Sequence, residues 1–296
     1  MQTAVLFIAH ALNGLLMIGM PIALAIYLTQ KFHLGWRLWF IGATGFIISQ
    51  VFHIPFLRLL TNLFNNNLLP APPAEYRLIT NAIILGLAAG LFEEVARYIV
   101  LRIWATDART WRKSIMLGAG HGGAEAIILG GLVFYTFIQM VAYKDADLSK
   151  LVPADQLAAA QQQISAYWSA TWYSSLLGAV ERFFTIPVQI CLSVLVMQVF
   201  TRRHIYWLGL AILWHAVMDG FVVYLSGTLG SNSWRLYGIE GVIAGFSLIS
   251  VLFIFILRQP EPPEAEVVPV PPLAPLAYQP AEIKETPENL DNSRFN

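Results

Sequence analysis

Apolar residues run along this chain in blocks too long for a soluble core, and the polar residues collect between them. Stretches able to cross about 30 Å of hydrocarbon fall near 3–29, 38–63, 79–104, 114–142, 171–200, 205–226 and 236–257. They predict an all-α integral membrane fold, a bundle of about seven transmembrane helices within residues 1–258. The first block, Ala4 to Leu28, has no basic leader and no small-residue cleavage site, so it reads as a retained span rather than a secretory signal. The longest connection, about 143–170, holds Pro153 and then an Ala- and Gln-rich run from Ala154 to Trp168 ending in Tyr167 and Trp168. That pattern predicts an interfacial helix. Residues 259–296 carry nine prolines and seven acids, the composition of a disordered tail. No internal repeat of the kind that builds inverted-repeat transporters is visible.

Composition sharpens this picture. Of 296 residues, 57% are hydrophobic and 12% charged, about half the charged fraction of a soluble domain. The formal net charge is zero, which gives no support for a nucleic-acid partner and leaves membrane lipid as the expected surroundings. The single cysteine, Cys191, permits no intrachain disulfide. With the N-terminus outside, nine basic residues (Lys31, Arg37, Arg102, Arg109, Arg112, Lys113, Arg202, Arg203 and Arg258) fall in cytoplasmic segments and five (Arg58, Arg77, Lys144, Lys150 and Arg235) fall opposite. The positive-inside bias therefore predicts a multi-pass plasma-membrane protein with a cytoplasmic C-terminal tail.

The chemistry lies in ionisable groups inside the spans, each costing roughly 2.5–3.5 kcal/mol at mid-bilayer. The third span carries Glu93, Glu94 and Arg97 in GLFEEVARY, and the fourth carries His121 and Glu125 in GAGHGGAEA. The fifth carries Glu181 and Arg182 in GAVERFF, and the sixth carries His215 and Asp219 in LWHAVMDG. Glu93 and Arg97, His121 and Glu125, and His215 and Asp219 are each i and i+4, so each pair shares one helix face. Gly86 and Gly90, and Gly118, Gly120, Gly122 and Gly123, let helices approach closely beside them.

Five carboxylates against two arginines leave three negative charges to be balanced by protons, protonated histidines or a divalent cation. Two histidines with several carboxylates suit zinc. Simpler readings compete at each position. A Glu–Arg pair can staple helices, above all Glu181 with Arg182, which lack an accompanying histidine. Glu125 reads as an orienting partner for a histidine or arginine. His10 and His53, without a carboxylate four residues on, read as structural, and His33 and His204 as interfacial.

The succession EEVAR, HGGAE, ER and WHAVMDG across consecutive spans resembles the YhfC-type intramembrane metalloproteases, within the broad superfamily of CAAX-processing and PrsW-like proteases. The resemblance covers roughly residues 80–225. CAAX-type members often show EExxxR and a final HxxxN, whereas this chain has EExxR and HxxxD. That difference points to the YhfC branch and away from a prenylated substrate.

The resemblance implies hydrolysis of a peptide bond in or near the membrane, in a membrane-protein or juxtamembrane peptide substrate. His121 and His215 are then zinc ligands, with Asp219 or a glutamate as the third and water as the fourth. Glu93 is the expected base, held ionised by Arg97 on its own face, while Glu94 is an alternative ligand. Glu125, Glu181 and Arg182 support the site. A metal-free version has Glu93 and His121 activate water while His215 and Asp219 stabilise the oxyanion; the aspartate is the better zinc ligand and the worse oxyanion donor. Two other classes remain open in the sequence. One is a proton- or cation-coupled transporter, for which Pro55 and Pro187 would break the second and fifth spans. The other is a non-catalytic scaffold, which would tolerate loss of Glu93.

Overall fold

The structure, a computed structural model, describes residues 2–229 and 234–260. The helices are α1 (Gln2–Phe32), α2 (Arg37–Asn65), α3 (Arg77–Ile99), α4 (Trp111–Tyr143), α5 (Leu157–Ser169), α6 (Leu177–Thr201), α7 (Tyr206–Thr228) and α8 (Trp234–Ile256). All but α5 are long and apolar enough to cross a membrane, which gives the seven spans expected. No strand occurs among the described residues. The Pro- and Glu-rich tail lies, from Glu261 onward, outside the described residues.

Burial shows which helix the bundle is built around. Every residue from Val188 to Val199 in α6 is buried, whereas the other spans expose Ile, Leu and Phe on one face. An apolar outer face is expected where lipid rather than water is the solvent. Around α6 stand α4, α7 and α8, with α1 and α2 outside α4 and with α3 packed along α7.

Small residues set the two closest seams. At Gly120 of α4 an added Cβ would overlap the Trp39 carbonyl oxygen of α2, and at Gly90 of α3 it would stand 2.6 Å from the Ile212 carbonyl oxygen of α7. The obstruction is backbone in both places, so a helix has to move. We expect Gly120→Leu to lower the thermal unfolding midpoint in detergent and to cost at least about 1–3 kcal/mol, the usual scale of overpacking. A midpoint equal to that of the unaltered chain would contradict the seam.

Neither Pro55 nor Pro187 breaks its span: α2 runs unbroken through Pro55 and α6 through Pro187. The discontinuous helices that would have favoured a transporter are absent from these two spans. The predicted helix between the fourth and fifth spans forms as α5, three residues later than its first alanine suggests, because Pro153 to Gln156 make the preceding turn. Its end docks by aromatic contact. Tyr167 stacks on His10 at 3.9 Å, and the Trp168 indole donates to the Met140 carbonyl at 3.2 Å.

One ion pair ties the connection after α3 to the start of α2. Arg37 donates to both carboxylate oxygens of Asp107, at 3.0 and 3.1 Å. These hydrogen bonds hold the Asp107 carboxyl below its ordinary value, against partial burial acting the other way. A carboxyl depressed in the folded state stabilises above its unfolded pKa of about 3.9 and stops doing so as pH falls through the lower folded value. With 47% of the Asp107 side chain exposed, screening confines the effect to about 1 kcal/mol or less. Asp107→Asn is therefore expected to remove a small part of the stability difference between pH 7 and pH 3, measured by thermal unfolding at both.

Candidate active site

Four spans bring the polar groups to one place. On α3, successive residues serve different neighbours because about 100° of helix rotation separates them. Glu93 faces α4 and the bundle interior, with its Oε2 3.1 Å from His121 Nε2 and 3.9 Å from His215 Nε2. Its other oxygen accepts from Gln50 Nε2 of α2 at 2.9 Å. Glu94 turns toward α7, where its Oε1 accepts from His215 Nδ1 at 2.8 Å and its Oε2 accepts from Arg97.

This pairing differs from the sequence expectation. Arg97 meets Glu94 at i+3 rather than Glu93 at i+4, so its ion pair is with Glu94. Both spacings reach on a helix, and Gln189 of α6 settles the choice by accepting from Arg97 Nη2 at 2.6 Å. The chain Arg97–Glu94–His215 has a chemical consequence. With Nδ1–H donated to Glu94, His215 is fixed in the tautomer whose Nε2 lone pair faces the interior, the arrangement common to metal-binding histidines. Glu94 thus meets His215 from behind, on the side away from Nε2. Asp219, one turn along α7, lies with Oδ2 3.5 Å from the same His215 Nε2.

A second run of polar groups continues from the first. Gln189 Nε2 donates to Glu125 Oε2 at 3.1 Å, Glu125 Oε1 accepts from Arg182 Nη1 at 2.5 Å, and Arg182 also donates to Glu181. Glu125 is thus an arginine partner, one of its two expected roles. Glu181 and Arg182 are more than a pair along one helix, because Arg182 bridges α6 to α4 and both line the central cavity.

That cavity, about 280 Å³, is lined by His53, Glu93, Glu125, Glu181, Arg182, Thr185, Gln189, His215 and Asp219 among apolar residues of α2, α3, α7 and α8. His121 is buried behind Glu93 and does not form part of the cavity wall. A larger groove of about 490 Å³ between α2 and α3 is lined, apart from Ser49, by apolar side chains and glycine, and carries no comparable chemistry.

Four groups escape a reading of the sequence by charge and helical spacing. Gln50 and Gln189 carry no charge, yet Gln189 alone joins Arg97 to Glu125. His53 has no carboxylate on its own helix, and its neighbour is Phe92 of α3, 5.5 Å away and stacked. Glu240 of α8 is a sixth acid within the spans, and its buried Oε2 has no hydrogen-bond partner. With it, six acids face two arginines and four negative charges lack an arginine.

The donor set suits a divalent transition metal. Tetrahedral zinc, with bonds of about 2.0–2.1 Å to nitrogen and oxygen, holds neighbouring donors about 3.3 Å apart. Of the separations in the site, the 3.5 Å from His215 Nε2 to Asp219 Oδ2 joins two of the expected ligands and is of that size, whereas the 3.1 and 3.9 Å separations run from His121 and His215 to Glu93. They form an open run rather than a closed cage, since no group of three metal-holding side chains converges on one point among the described residues.

Comparison with known proteins then decides the family. The sequence profile of the YhfC intramembrane metalloprotease family matches residues 16–239. The chain belongs to this family. The match takes in α2, α3, α4, α6 and α7, every helix that supplies Glu93, Glu94, Arg97, His121, Glu125, Glu181, Arg182, His215 or Asp219. A relative from Bacillus subtilis (strain 168), described as uncharacterized membrane protein YhfC, is 31% identical over 267 residues, covering 86% of this chain and 96% of its own length. No solved structure matches. The family description suggests a membrane peptidase, and the multi-pass architecture agrees with a membrane-protein relative.

Proposed function

We propose that this protein is a zinc-dependent intramembrane endopeptidase that hydrolyses a peptide bond in the cavity between α2, α3, α6 and α7. The observation that carries the reading is the placement of Glu93, whose Oε2 lies beside the Nε2 atoms of both His121 and His215 while Arg97 and Glu94 hold His215 from behind. His121, His215 and Asp219 would hold the metal. When bound, zinc supplies Lewis-acid polarisation of the scissile carbonyl and brings the pKa of water toward about 7.

The chain's own residues do the rest. Glu93 accepts the proton of the attacking water and returns it to the leaving amine, so one peptide bond and one water yield a carboxylic acid and an amine. Gln50 fixes the direction in which Glu93 presents its free lone pairs. Arg182, held between Glu125 and Glu181, keeps the cavity's far wall polar. A substrate helix has no spare backbone carbonyl to offer until it unwinds, so the reading assigns as substrate the end of a span or a juxtamembrane segment of a membrane protein. Orientation follows the basic residues, with the N-terminus outside and the C-terminus in the cytoplasm of a plasma membrane.

One observation favours a second reading. His121 touches Glu93 from behind the cavity wall, an arrangement that also serves a metal-free site in which His121 orients Glu93 to activate water. Metal content separates the two. In detergent-purified protein washed with a mild chelator, the first reading expects about one zinc per chain by mass spectrometry, lost in His121→Ala and in His215→Ala. Folded protein that takes up no zinc on re-addition would overturn it and leave the metal-free site.

A further inference from the structure

His53 is the polar group in the cavity that the reading above does not use. It sits in α2 with 9% of its surface exposed, and neither ring nitrogen has a hydrogen-bond partner. Its ring is stacked face to face on Phe92, with 21° between the planes, so the packing fixes the ring without satisfying either nitrogen. Buried imidazole nitrogens without partners are rare in folded proteins because the lost hydration is not recovered. A group of this kind lining a ligand-sized cavity is explained most simply by a partner that arrives with the ligand. The other polar side chains on that cavity wall are already engaged. Gln189 bonds Arg97 and Glu125, Arg182 bonds Glu125 and Glu181, His215 bonds Glu94, and the Thr185 hydroxyl donates to the Arg182 carbonyl at 3.5 Å. Glu93, Glu125, Glu181 and Asp219 present carboxylates, which repel a developing negative oxygen. That leaves His53 as the cavity's uncommitted N–H donor, on the same cavity wall as Glu93, His215 and Asp219.

We infer that His53 is a catalytic residue that donates a hydrogen bond to the carbonyl oxygen of the scissile peptide bond. The inference rests on the peptidase reading. As water attacks, its oxygen bonds to the carbonyl carbon, its proton passes to Glu93, and the C=O π electrons move onto the oxygen that His53 faces. The intermediate then collapses, the C–N bond breaks, and the amine leaves with the proton carried by Glu93. A donor placed for the oxyanion acts on the transition state more than on the bound peptide.

The test uses the full-length protein in proteoliposomes with a mixed library of synthetic apolar peptides, read by mass spectrometry, followed by kinetics on the peptide cleaved fastest. His53→Leu is expected to lower kcat on the order of 10²-fold with KM changed by less than about threefold, and His53→Gln, which keeps an N–H donor, to recover at least about tenfold of that loss. Zinc content and thermal midpoint of both variants are expected to match the unaltered chain. Cleavage by His53→Leu at the unaltered rate, a loss confined to KM, a loss of zinc, or no rescue by glutamine would each overturn the role of His53 while leaving the peptidase reading in place. No cleavage of any library peptide by the unaltered protein would overturn both.

Discussion

Glu93→Gln is expected to abolish peptide cleavage by this protein, lowering kcat on the order of 10³-fold or more, while leaving zinc content and fold unchanged. Removing a general base ordinarily costs about 10²–10⁴-fold. Here the higher part of that range is expected, because the other carboxylates on the cavity wall are differently placed: Glu125 and Glu181 are tied to Arg182, and Asp219 is assigned to the metal. The amide of glutamine keeps the bond from Gln50 only if it presents its oxygen there, so the variant loses proton transfer rather than position. Single-turnover kinetics on proteoliposomes separate the chemical step from binding. A variant that cleaves within tenfold of the unaltered rate would remove Glu93 from the mechanism. The same variant discriminates the scaffold reading, in which Glu93→Gln leaves the biological role intact.

The second large effect is on stability. Arg97 and Glu94 have no exposed side-chain surface, and each is the other's counter-charge. Removing one partner of a buried pair leaves an uncompensated charge and costs roughly 3–5 kcal/mol. Arg97→Met is therefore expected to lower the thermal midpoint strongly in detergent and to reduce yield. The double variant Glu94→Gln with Arg97→Met is expected to recover part of that loss, since it removes both charges, although His215 loses its ionic partner and activity stays low. Equal midpoints for the unaltered chain and Arg97→Met would contradict the network. A double variant less stable than Arg97→Met would show that the pair is not the cause.

Much of this architecture is legible in the sequence for a physical reason. A span has to satisfy its backbone internally and face lipid with apolar side chains, so length and hydropathy locate it almost independently of its neighbours. The seven blocks accordingly correspond to α1–α4 and α6–α8 within a few residues, and the Ala- and Gln-rich run before Trp168 corresponds to α5. The clustering of the in-span charges was legible too, because charge is costly there and has to converge. The wiring within the cluster was not. Whether Arg97 reaches Glu93 or Glu94 depends on where Gln189 of α6 sits, and that is a tertiary fact. Gln50 and Gln189 escaped because neutral amides carry no charge signature. His53 escaped because its neighbours lie on other helices rather than one turn along its own. Glu240 stood in plain view in the last span, and an in-span acid without a helical partner is the signal that would have found it.

Metal-dependent hydrolysis at one membrane-embedded site is the central expectation for this protein. The direct measurement is cleavage of apolar peptides by the purified protein in liposomes, before chelation, after zinc removal by phenanthroline, and after zinc is restored. Cleavage that disappears with the metal, returns with zinc, and is absent throughout in Glu93→Gln is the predicted result. Cleavage that persists in metal-free protein would contradict zinc dependence, and no cleavage under any of the three conditions would contradict the peptidase itself.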